Sequence, residues 1–365
     1  GHNSGVIHTG VYYKPGSLKA QLCVPGAREM LEYCRRHALP HAVPGKVIVA
    51  TKESELPGLR EIQRRGEANG VEGLNWLEAE ELRKIEPHVR GLAALHVPTA
   101  AITDYAAVAA SYAAEIAAQG GEVVTGAKVE KLWRKDAAAR VQWRGGRVSA
   151  ALVINCAGLH ADRLARQADC VATAKLRILP FRGEYYCLAP AAAALVRGLV
   201  YPVPDTRFPF LGVHFTPRVG GGVEAGPSAV LAWSREGYGR LGFNARDTID
   251  AIAYRGFVAM VARYWQKGLG EQYRSLSKHA YLSALRVLLP ELRHEDLLRG
   301  GSGVRAQVVL PNGRLMDDFC VLRDGPFMHV INVPSPAATA SLQIGKYLAR
   351  QVLDTKTVVP GGENL

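Results

Sequence analysis

The sequence predicts a mixed fold, an α/β part joined to an α+β part, and three observations carry this prediction. Residues 150–165, "AALVINCAGLHADRLA", and residues 329–349, "HVINVPSPAATASLQIGKYLA", each begin as an apolar strand and turn through a loop into a helix. Nearly continuous apolar strands are typical of a parallel sheet that is buried on both faces. Residues 176–235 are instead rich in Tyr, Phe, Val and Pro with frequent turn residues, which indicates an antiparallel sheet.

Hydrophobic spacing, together with Gly and Pro, predicts the elements along the chain. In order, they are a helix over 27–38, a strand and a helix over 45–70, a short helix over 75–87 that ends before Pro87, an extended segment over 93–105, a helix over 105–119 stopped by Gly120, strands over 122–158 around a hairpin at 144–147, and helices over 245–297. After residue 298 the pattern returns to strand, strand, loop and helix.

The α/β segments flank the β-rich segment, so we predict two domains that are both built from discontinuous pieces. One domain consists of residues 1–37, 93–175 and 298–358. The other consists of residues 38–92 and 176–297.

Composition and charge narrow the class of protein. Of 365 residues, 48% are hydrophobic and 21% charged, which is the balance of a globular protein. The sequence contains no run of 18 apolar residues, so we predict no transmembrane helix. The net charge is +12, but the basic residues are scattered and do not interleave with aromatic residues, so nucleic acid is not an expected partner. The positive charge leaves two kinds of partner open, an anionic small molecule and an anionic membrane surface. The six cysteines lack zinc-ligand spacing, so we expect reduced thiols in a cytoplasmic protein and no metal site.

Three segments have the composition of ligand-contacting loops. Residues 1–13, "GHNSGVIHTGVYY", contain two histidines, three glycines and two tyrosines. At the start of the last helix, Ser335 or Thr339 can act as an N-cap and the small side chains of the 337–338 pair allow close approach to the backbone, where free N–H groups favour an anionic or electron-rich ligand. In residues 153–165 a ligand would meet the carboxyl end of a strand. The alternative for the last two segments is an ordinary capped helix and an ordinary strand-to-helix turn.

In combination, these segments resemble the FAD-dependent oxidoreductases of the D-amino-acid oxidase superfamily, and within it most closely the enzymes that oxidise L-2-hydroxyglutarate. The stretches that carry the resemblance run in order from residue 1 to about residue 350: "GHNSGVIHTGVYYKPGSLKAQLC", "ALHVPTAAITDY", "VINCAGLHADRLA", "LPFRGEYYCL", "YPVPDTRFPFLGVHFT", "GGVEAGPSAVLA", "GVRAQ" and "NVPSPAATASLQIG". The G-x-G-x-x-G turn of the family is not found in the sequence. We therefore expect that about forty residues, one βαβ unit, precede the first loop in the family pattern, and that the chain as written binds FAD weakly or not at all.

The resemblance implies FAD as cofactor, held by a Rossmann-like FAD-binding domain that is truncated at its N-terminus, beside a discontinuous substrate domain with an antiparallel sheet. It places the first loop near the pyrophosphate or flavin ring, residue 129 at the adenine, the 157–158 turn beside the dinucleotide, and the 332–339 loop at the pyrimidine edge of the flavin. The cofactor residues predicted in this way are Asn3, Ser4, Gly5, Val129, Ala157, Gly158, Asn332, Pro334, Ser335, Ala337, Ala338 and Thr339.

Oxidation of a 2-hydroxy acid removes a hydride from C2, which flavin N5 accepts, and a proton from the hydroxyl, which suits a histidine base. The resemblance makes His8 and His214 equal candidates for the base or a hydrogen-bonding partner, each with a structural role as the alternative. Arg305 matches a position where related amino-acid oxidases carry a carboxylate-binding arginine, and its guanidinium can hold a carboxylate bidentately. Arg182 with Tyr186 is a weaker candidate for a second carboxylate, which scattered basic residues could also neutralise.

The implied activity is FAD-dependent oxidation of L-2-hydroxyglutarate to 2-oxoglutarate, with electrons passed to quinone or oxygen. The alternatives are another enzyme of the superfamily, of the glycine/sarcosine oxidase or glycerol-3-phosphate dehydrogenase type, and a non-catalytic fragment. The expected partners are a small dicarboxylate and the electron acceptor. Peripheral contact with the inner membrane stays open.

Overall fold

The computed structural model describes residues 2–204, 212–333 and 335–353. The described residues form ten α-helices: α1 Leu18–Arg36, α2 Leu56–Ala68, α3 Ala79–Ile85, α4 Tyr105–Ala118, α5 Ala161–Gln167, α6 Pro190–Ala193, α7 Ala245–Ile252, α8 Arg255–Leu276, α9 Lys278–Leu285 and α10 Ser341–Leu353. They also form eighteen strands: β1 Val6–Ile7, β2 His41–Ala42, β3 Lys46–Ala50, β4 Asn75–Glu78, β5 Ala93–Val97, β6 Ala101–Thr103, β7 Val129–Lys135, β8 Ala138–Trp143, β9 Gly146–Ala150, β10 Val153–Asn155, β11 Arg177–Leu188, β12 Leu199–Pro202, β13 His214–Pro217, β14 Val223–Gly226, β15 Val230–Leu231, β16 Leu297–Val309, β17 Cys320–Asp324 and β18 Phe327–Asn332. Within these residues, no helix has the length and apolar character to cross a bilayer.

The largest sheet has the strand order β15-β11-β14-β13-β12-β3-β5-β4, with β16 paired to β11. Most of its neighbouring strands are antiparallel, as the sequence predicted, but β12 and β3 run parallel, with Leu199 opposite Lys46. The side chains of β3 alternate between two cores. Val47 and Val49 pack with Phe215 on one side, and Ile48 and Ala50 pack into a second apolar cluster on the other.

The predicted parallel sheet is present in the described residues as β10 beside β18, with β17 antiparallel on the far side of β18. Asn155 at the end of β10 lies opposite His329, so the carboxyl ends of both strands lie at one edge of the sheet. One face of β10 is more open than its apolar sequence predicted, since Ile154 is 40% exposed and Cys156 is exposed. The physical reason is that β18 is its one strand neighbour among the described residues.

Two smaller sheets complete the fold, β7-β8-β9 and β1-β6-β2. The first contains the predicted hairpin, with Trp143 opposite Gly146. The second fastens the first loop, because β1 pairs with β6 and the amide of Thr103 donates a hydrogen bond to the Gly5 carbonyl at 2.7 Å.

Helix α1 begins earlier than predicted and continues through Pro25. The carboxylate of Asp318 accepts hydrogen bonds from the amides of Leu18 and Lys19, both at 2.8 Å, so a residue distant in sequence stabilises the first turn. Gly26 allows α1 to approach α10, since a Cβ there would lie 2.9 Å from the Cα of Ala340. This close approach positions the loop before α10.

Strand pairing does not follow the domain boundaries predicted at residues 93 and 298. β5 pairs with β3 and β4 in the large sheet, and β16 pairs with β11 along most of its length. We therefore propose that the two boundaries lie after residue 97 and after residue 309, where these strands end. Residues 75–78 likewise form β4, not the first turn of a helix, because they pair with β5.

Candidate functional site

Four basic side chains from separate parts of the chain approach one another, and we call His8, Lys46, His214 and Arg305 the basic cluster. Burial lowers the pKa of His8, and the charges of Lys46, His214 and Arg305 lower it further. Lys46 and Arg305 also lower the pKa of His214. Charge effects of this kind weaken with distance, so the four side chains lie near one another, and two of them, Lys46 and Arg305, are cations. Three of these residues were predicted from the sequence.

His214, the first residue of β13, is buried and has a defined tautomer. Its Nδ1 donates a hydrogen bond to the Gly212 carbonyl at 2.8 Å, which leaves the lone pair on Nε2. The ring stacks on Tyr201 with centroids 3.8 Å apart. Burial first, and then Lys46 and Arg305, lower its pKa to about 3. The imidazole is therefore neutral at pH 7, with Nε2 able to accept a proton.

His8 follows β1 and connects the first loop to the loop before α10. Its amide donates to Thr339 Oγ1 at 3.0 Å, and its Nε2 lies 3.4 Å from Ser335 Oγ. Its carbonyl accepts a hydrogen bond from the Cys23 thiol at 3.2 Å. Because its pKa lies well below 6.5, His8 is also neutral at pH 7.

Lys46 is the member of the cluster that sequence reasoning missed. It is 1% exposed and makes no salt bridge with any described residue. Its ammonium lies 4.2 Å from the ring centroid of Tyr201 and 5.4 Å from that of Tyr12. Burial lowers its pKa to about 8. An ammonium buried without a carboxylate is costly, so an anionic ligand is the expected counterpart.

A signal for Lys46 was present in the sequence "GKVIVA". Alternate residues of a strand share a face, so Lys46 shares the face of Ile48 and Ala50, both of which are buried. A lysine at the start of an apolar strand normally marks the exposed end of that strand. The pattern therefore favours an exposed Lys46, whereas the side chain is buried.

Two hydroxyl groups near the cluster have no hydrogen-bond partner among the described residues. They are the buried hydroxyls of Thr9 and Tyr12. Buried polar groups are usually satisfied, so both are available to a ligand. Tyr185 lies close to Arg305, which opposes the effect of burial that raises its pKa to about 12. Sequence reasoning missed this tyrosine too.

The predicted pair Arg182 and Tyr186 does not join the cluster. Nη2 of Arg182 lies 2.8 Å from Oε1 of Glu184, and Nη1 donates to the Gly239 carbonyl at 2.9 Å. Its charge is thus neutralised inside the protein. Tyr186 packs in the apolar core beside Tyr281, with ring centroids 4.8 Å apart. Neither side chain faces the basic cluster, so we propose Lys46 and Tyr185 in their place as candidates for contact with a substrate.

The predicted cofactor residues around 157 lie at the carboxyl edge of the parallel sheet. Cys156, Ala157 and Gly158 are exposed there. The amide of Ala157 donates to Asn155 Oδ1 at 3.1 Å, which fixes the turn. Gly158 has a φ of +52°, with open space where a Cβ would lie. The backbone is therefore accessible to a ligand, and the role of this turn in cofactor binding stays a prediction.

The loop before α10 approaches the basic cluster through Ser335 and Thr339. Thr339 is buried, and its hydroxyl donates to the Val6 carbonyl at 3.2 Å while it accepts the amide of His8. Ser335 and Ala338 are exposed, and Ala337 is half-buried. Pro334 lies outside the described residues.

Asn332 is buried, and the protein itself uses its amide group. Nδ2 donates to the carbonyls of Met316 and Asp318 at 3.1 and 2.7 Å, and Oδ1 accepts the amide of Val308 at 3.2 Å. Its side chain is therefore occupied in shaping the end of β18 and is not available to a cofactor.

The remaining cofactor predictions stay predictions. Asn3 is exposed, and its Oδ1 accepts the amide of Gly5 at 2.9 Å, so it shapes the first loop. Ser4 is half-buried. Val129 begins β7 in the separate three-stranded sheet.

These residues fit a flavin ring. Small residues leave the backbone accessible at the sheet edge, and the loop before α10 contacts His8 directly. The hydroxyls of Thr9 and Tyr12, which form no hydrogen bond within the described part of the chain, lie in the same first loop and can bond polar ring atoms. The basic cluster next to this loop would stabilise the negative charge of a reduced flavin.

Comparison with known proteins identifies the family. The family model described as FAD dependent oxidoreductase (DAO) matches residues 1–351. The chain belongs to the DAO family. The predicted family and the predicted FAD cofactor are thereby confirmed.

Relatives of this DAO-family chain include three named L-2-hydroxyglutarate dehydrogenase. The protein from Indibacter alkaliphilus is 46% identical over 345 residues, which cover 94% of this chain and 86% of that protein. The mitochondrial protein from Homo sapiens is 42% identical over 370 residues, 96% of this chain and 79% of that protein. The protein from Escherichia coli K12 is 41% identical over 353 residues, 96% of this chain and 83% of that protein.

Solved structures of similar fold confirm the predicted fold class. The dithionite-reduced L-α-glycerophosphate oxidase from Mycoplasma pneumoniae with FAD bound has a TM-score of 0.75 at 23% identity, over 100% of this chain and 88% of that chain. Glycine oxidase from Geobacillus kaustophilus has a TM-score of 0.70 at 15% identity, over 98% of this chain and 86% of that chain.

Proposed function

We propose that this DAO-family oxidoreductase oxidises L-2-hydroxyglutarate to 2-oxoglutarate. The observation that carries the proposal is the pairing of two cations, Lys46 and Arg305, with two neutral histidines in one cluster. A substrate with two carboxylates and one hydroxyl matches two cations and a neutral base. The relatives named L-2-hydroxyglutarate dehydrogenase support the same substrate.

Binding follows from the chemistry of the two cations. Arg305 offers a planar fork that holds the C1 carboxylate bidentately and so orients C2. Lys46 offers a point charge against tyrosine rings and takes the C5 carboxylate. A monocarboxylate bound at Arg305 would offer no carboxylate to Lys46.

Proton transfer follows from the tautomer of His214. The Gly212 carbonyl holds the proton on Nδ1, so Nε2 accepts the proton of the C2 hydroxyl. Two bound carboxylates offset the positive field of Lys46 and Arg305, which raises the basicity of this imidazole when substrate is present. The flavin, when bound, supplies the acceptor of the C2 hydride. His8 stays the second candidate for the base.

The electron acceptor that we propose is a membrane quinone, with oxygen as the alternative. The net charge of +12 supports contact with an anionic membrane surface. Anaerobic turnover with a soluble quinone analogue would support quinone, whereas turnover that requires oxygen would contradict it.

Substrate screening tests the proposed reaction. With a dye acceptor, the FAD-loaded protein should oxidise L-2-hydroxyglutarate and leave the D enantiomer unchanged, because the two cations fix both ends of the chain and present one face of C2 to the cofactor. L-α-glycerophosphate and glycine, the substrate classes of the similar folds, serve as controls. Equal rates on both enantiomers, or activity on amines alone, would contradict the proposal.

Replacement of Arg305 by Lys tests whether the guanidinium holds a substrate carboxylate through two hydrogen bonds. We expect the KM for L-2-hydroxyglutarate to rise about 10–100-fold, because a point ammonium cannot reproduce a bidentate contact and a charged hydrogen bond is worth roughly 1.5–3 kcal/mol. Arg299→Lys, an exposed position on the same strand, is the control. Kinetics unchanged in Arg305→Lys would show that this guanidinium does not hold the substrate.

A further inference from the structure

Helix α8 carries an apolar stripe on its exposed face. Its members recur every three or four residues and lie on one side of the helix, between 42% and 67% exposed: Val258, Val261, Trp265, Leu269, Tyr273 and Leu276. The opposite side already packs inward through Phe257 and Met260. A surface helix normally exposes a polar face, so a continuous apolar stripe of this length indicates a partner.

The exposed apolar surface extends into the preceding segment. Ile249 and Ile252 on α7 are 66% and 52% exposed, and Leu241 and Phe243 just before it are 97% and 68% exposed. We call residues 241–276 the α7–α8 surface. None of the proposed catalytic residues lies in it.

The charges of the α7–α8 surface are unbalanced. Arg163, which is outside this segment, pairs with both aspartates of the surface: its Nη1 lies 2.6 Å from Oδ1 of Asp247 and its Nη2 lies 3.2 Å from Oδ2 of Asp250. The charges of these two carboxylates are therefore already compensated. Glu271 pairs with Arg274 on the same helix at 2.6 Å. The three exposed arginines of the surface are Arg246, Arg255 and Arg263. The surface therefore combines exposed apolar and aromatic side chains with an excess of positive charge.

We propose that the α7–α8 surface docks on an anionic lipid bilayer, with α8 lying in the plane of the interface. Trp265 and Tyr273 suit the headgroup level, aliphatic side chains enter the acyl boundary, and arginines meet anionic headgroups. A second copy of the chain fits less well, because a symmetric contact would bring the same exposed arginines of both copies together. The inference is independent of the chemistry at the basic cluster.

Vesicle sedimentation tests the proposal. The full chain should bind vesicles of phosphatidylcholine with about one third phosphatidylglycerol, bind pure phosphatidylcholine weakly, and lose affinity as salt screens the charges. The double variant W265Q/L269Q should bind the anionic vesicles at least about tenfold more weakly, because two apolar contacts with lipid are lost. The matched control V148Q/V171Q also replaces two exposed apolar side chains, outside the α7–α8 surface, and should bind like the unmodified protein.

Two further measurements separate the outcomes. R255Q/R263Q should weaken binding to anionic vesicles about fivefold per charge and leave thermal melting unchanged. Turnover with a soluble dye should be the same in all variants, so a failure of docking is distinguishable from a failure of the proposed reaction. Absence of vesicle binding, equal binding by W265Q/L269Q, or a dimer that this variant converts to monomers would overturn the proposal.

Discussion

Replacement of His214 by Ala is expected to lower kcat by about 10²–10⁴, the usual worth of a general base. The reason is that Nε2 of His214 is a buried, unprotonated nitrogen whose tautomer the Gly212 carbonyl sets. His8→Ala is the parallel variant, since His8 is the second candidate. The exposed His279 is the control position, where Ala should leave kcat unchanged.

The pH profile adds a second readout for His214. A lowered pKa means that the neutral, proton-accepting form dominates at every pH well above 3. We therefore expect kcat/KM to stay level as the pH falls from 7.5 to about 6, instead of declining as it would for an ordinary histidine. If only His8→Ala loses activity, His8 is the base. If both variants keep the full rate, neither histidine is the general base.

Replacement of Lys46 by Gln is expected to lower kcat/KM for L-2-hydroxyglutarate by about 10²-fold, which corresponds to roughly 3 kcal/mol for a charged contact. L-2-hydroxybutyrate, which lacks the C5 carboxylate, should be affected far less. Lys19→Gln is the matched control, because Lys19 is also buried but pairs with Asp317 at 3.0 Å. An equal loss on both substrates would show that Lys46 does not contact the C5 carboxylate.

The pH dependence of KM tests the same role of Lys46. Since burial lowers its pKa to about 8, the ammonium is mostly charged at pH 7 and mostly neutral at pH 9. The KM of the unmodified protein should therefore rise above pH 8 as the positive charge is lost, and Lys46→Gln should remove that rise. A KM that is flat up to pH 9.5 in the unmodified protein would contradict this assignment.

Elements set by contacts close in the chain were predictable from the sequence. The helix at Tyr105–Ala118 has Asp104 as N-cap and ends before Gly120, and the hairpin turn lies where "RGGR" predicted it. Helix α1 was predicted only in part, because its first turn depends on Asp318, about 300 positions away.

The chemistry of the site was predictable in kind but not in its full membership. His8, His214 and Arg305 lie in segments whose order along the chain resembles one family, so these residues and the FAD cofactor could be named in advance. Arg182 and Tyr186 could not be judged, since nothing local shows that Glu184 neutralises one and Tyr281 packs against the other.

We could name the family, the cofactor, the local elements and three members of the basic cluster before the fold was known, because motif order and hydrophobic spacing are properties of the chain alone. The burial of Lys46, which forms no salt bridge with a described residue, depends instead on contacts between distant segments. That position depends on β3 pairing with β12, which sets Lys46 opposite Leu199 and brings its ammonium to the ring of Tyr201, on which His214 also stacks. Pairing between strands about 150 residues apart is set by the packing of the whole sheet, and no local pattern encodes it.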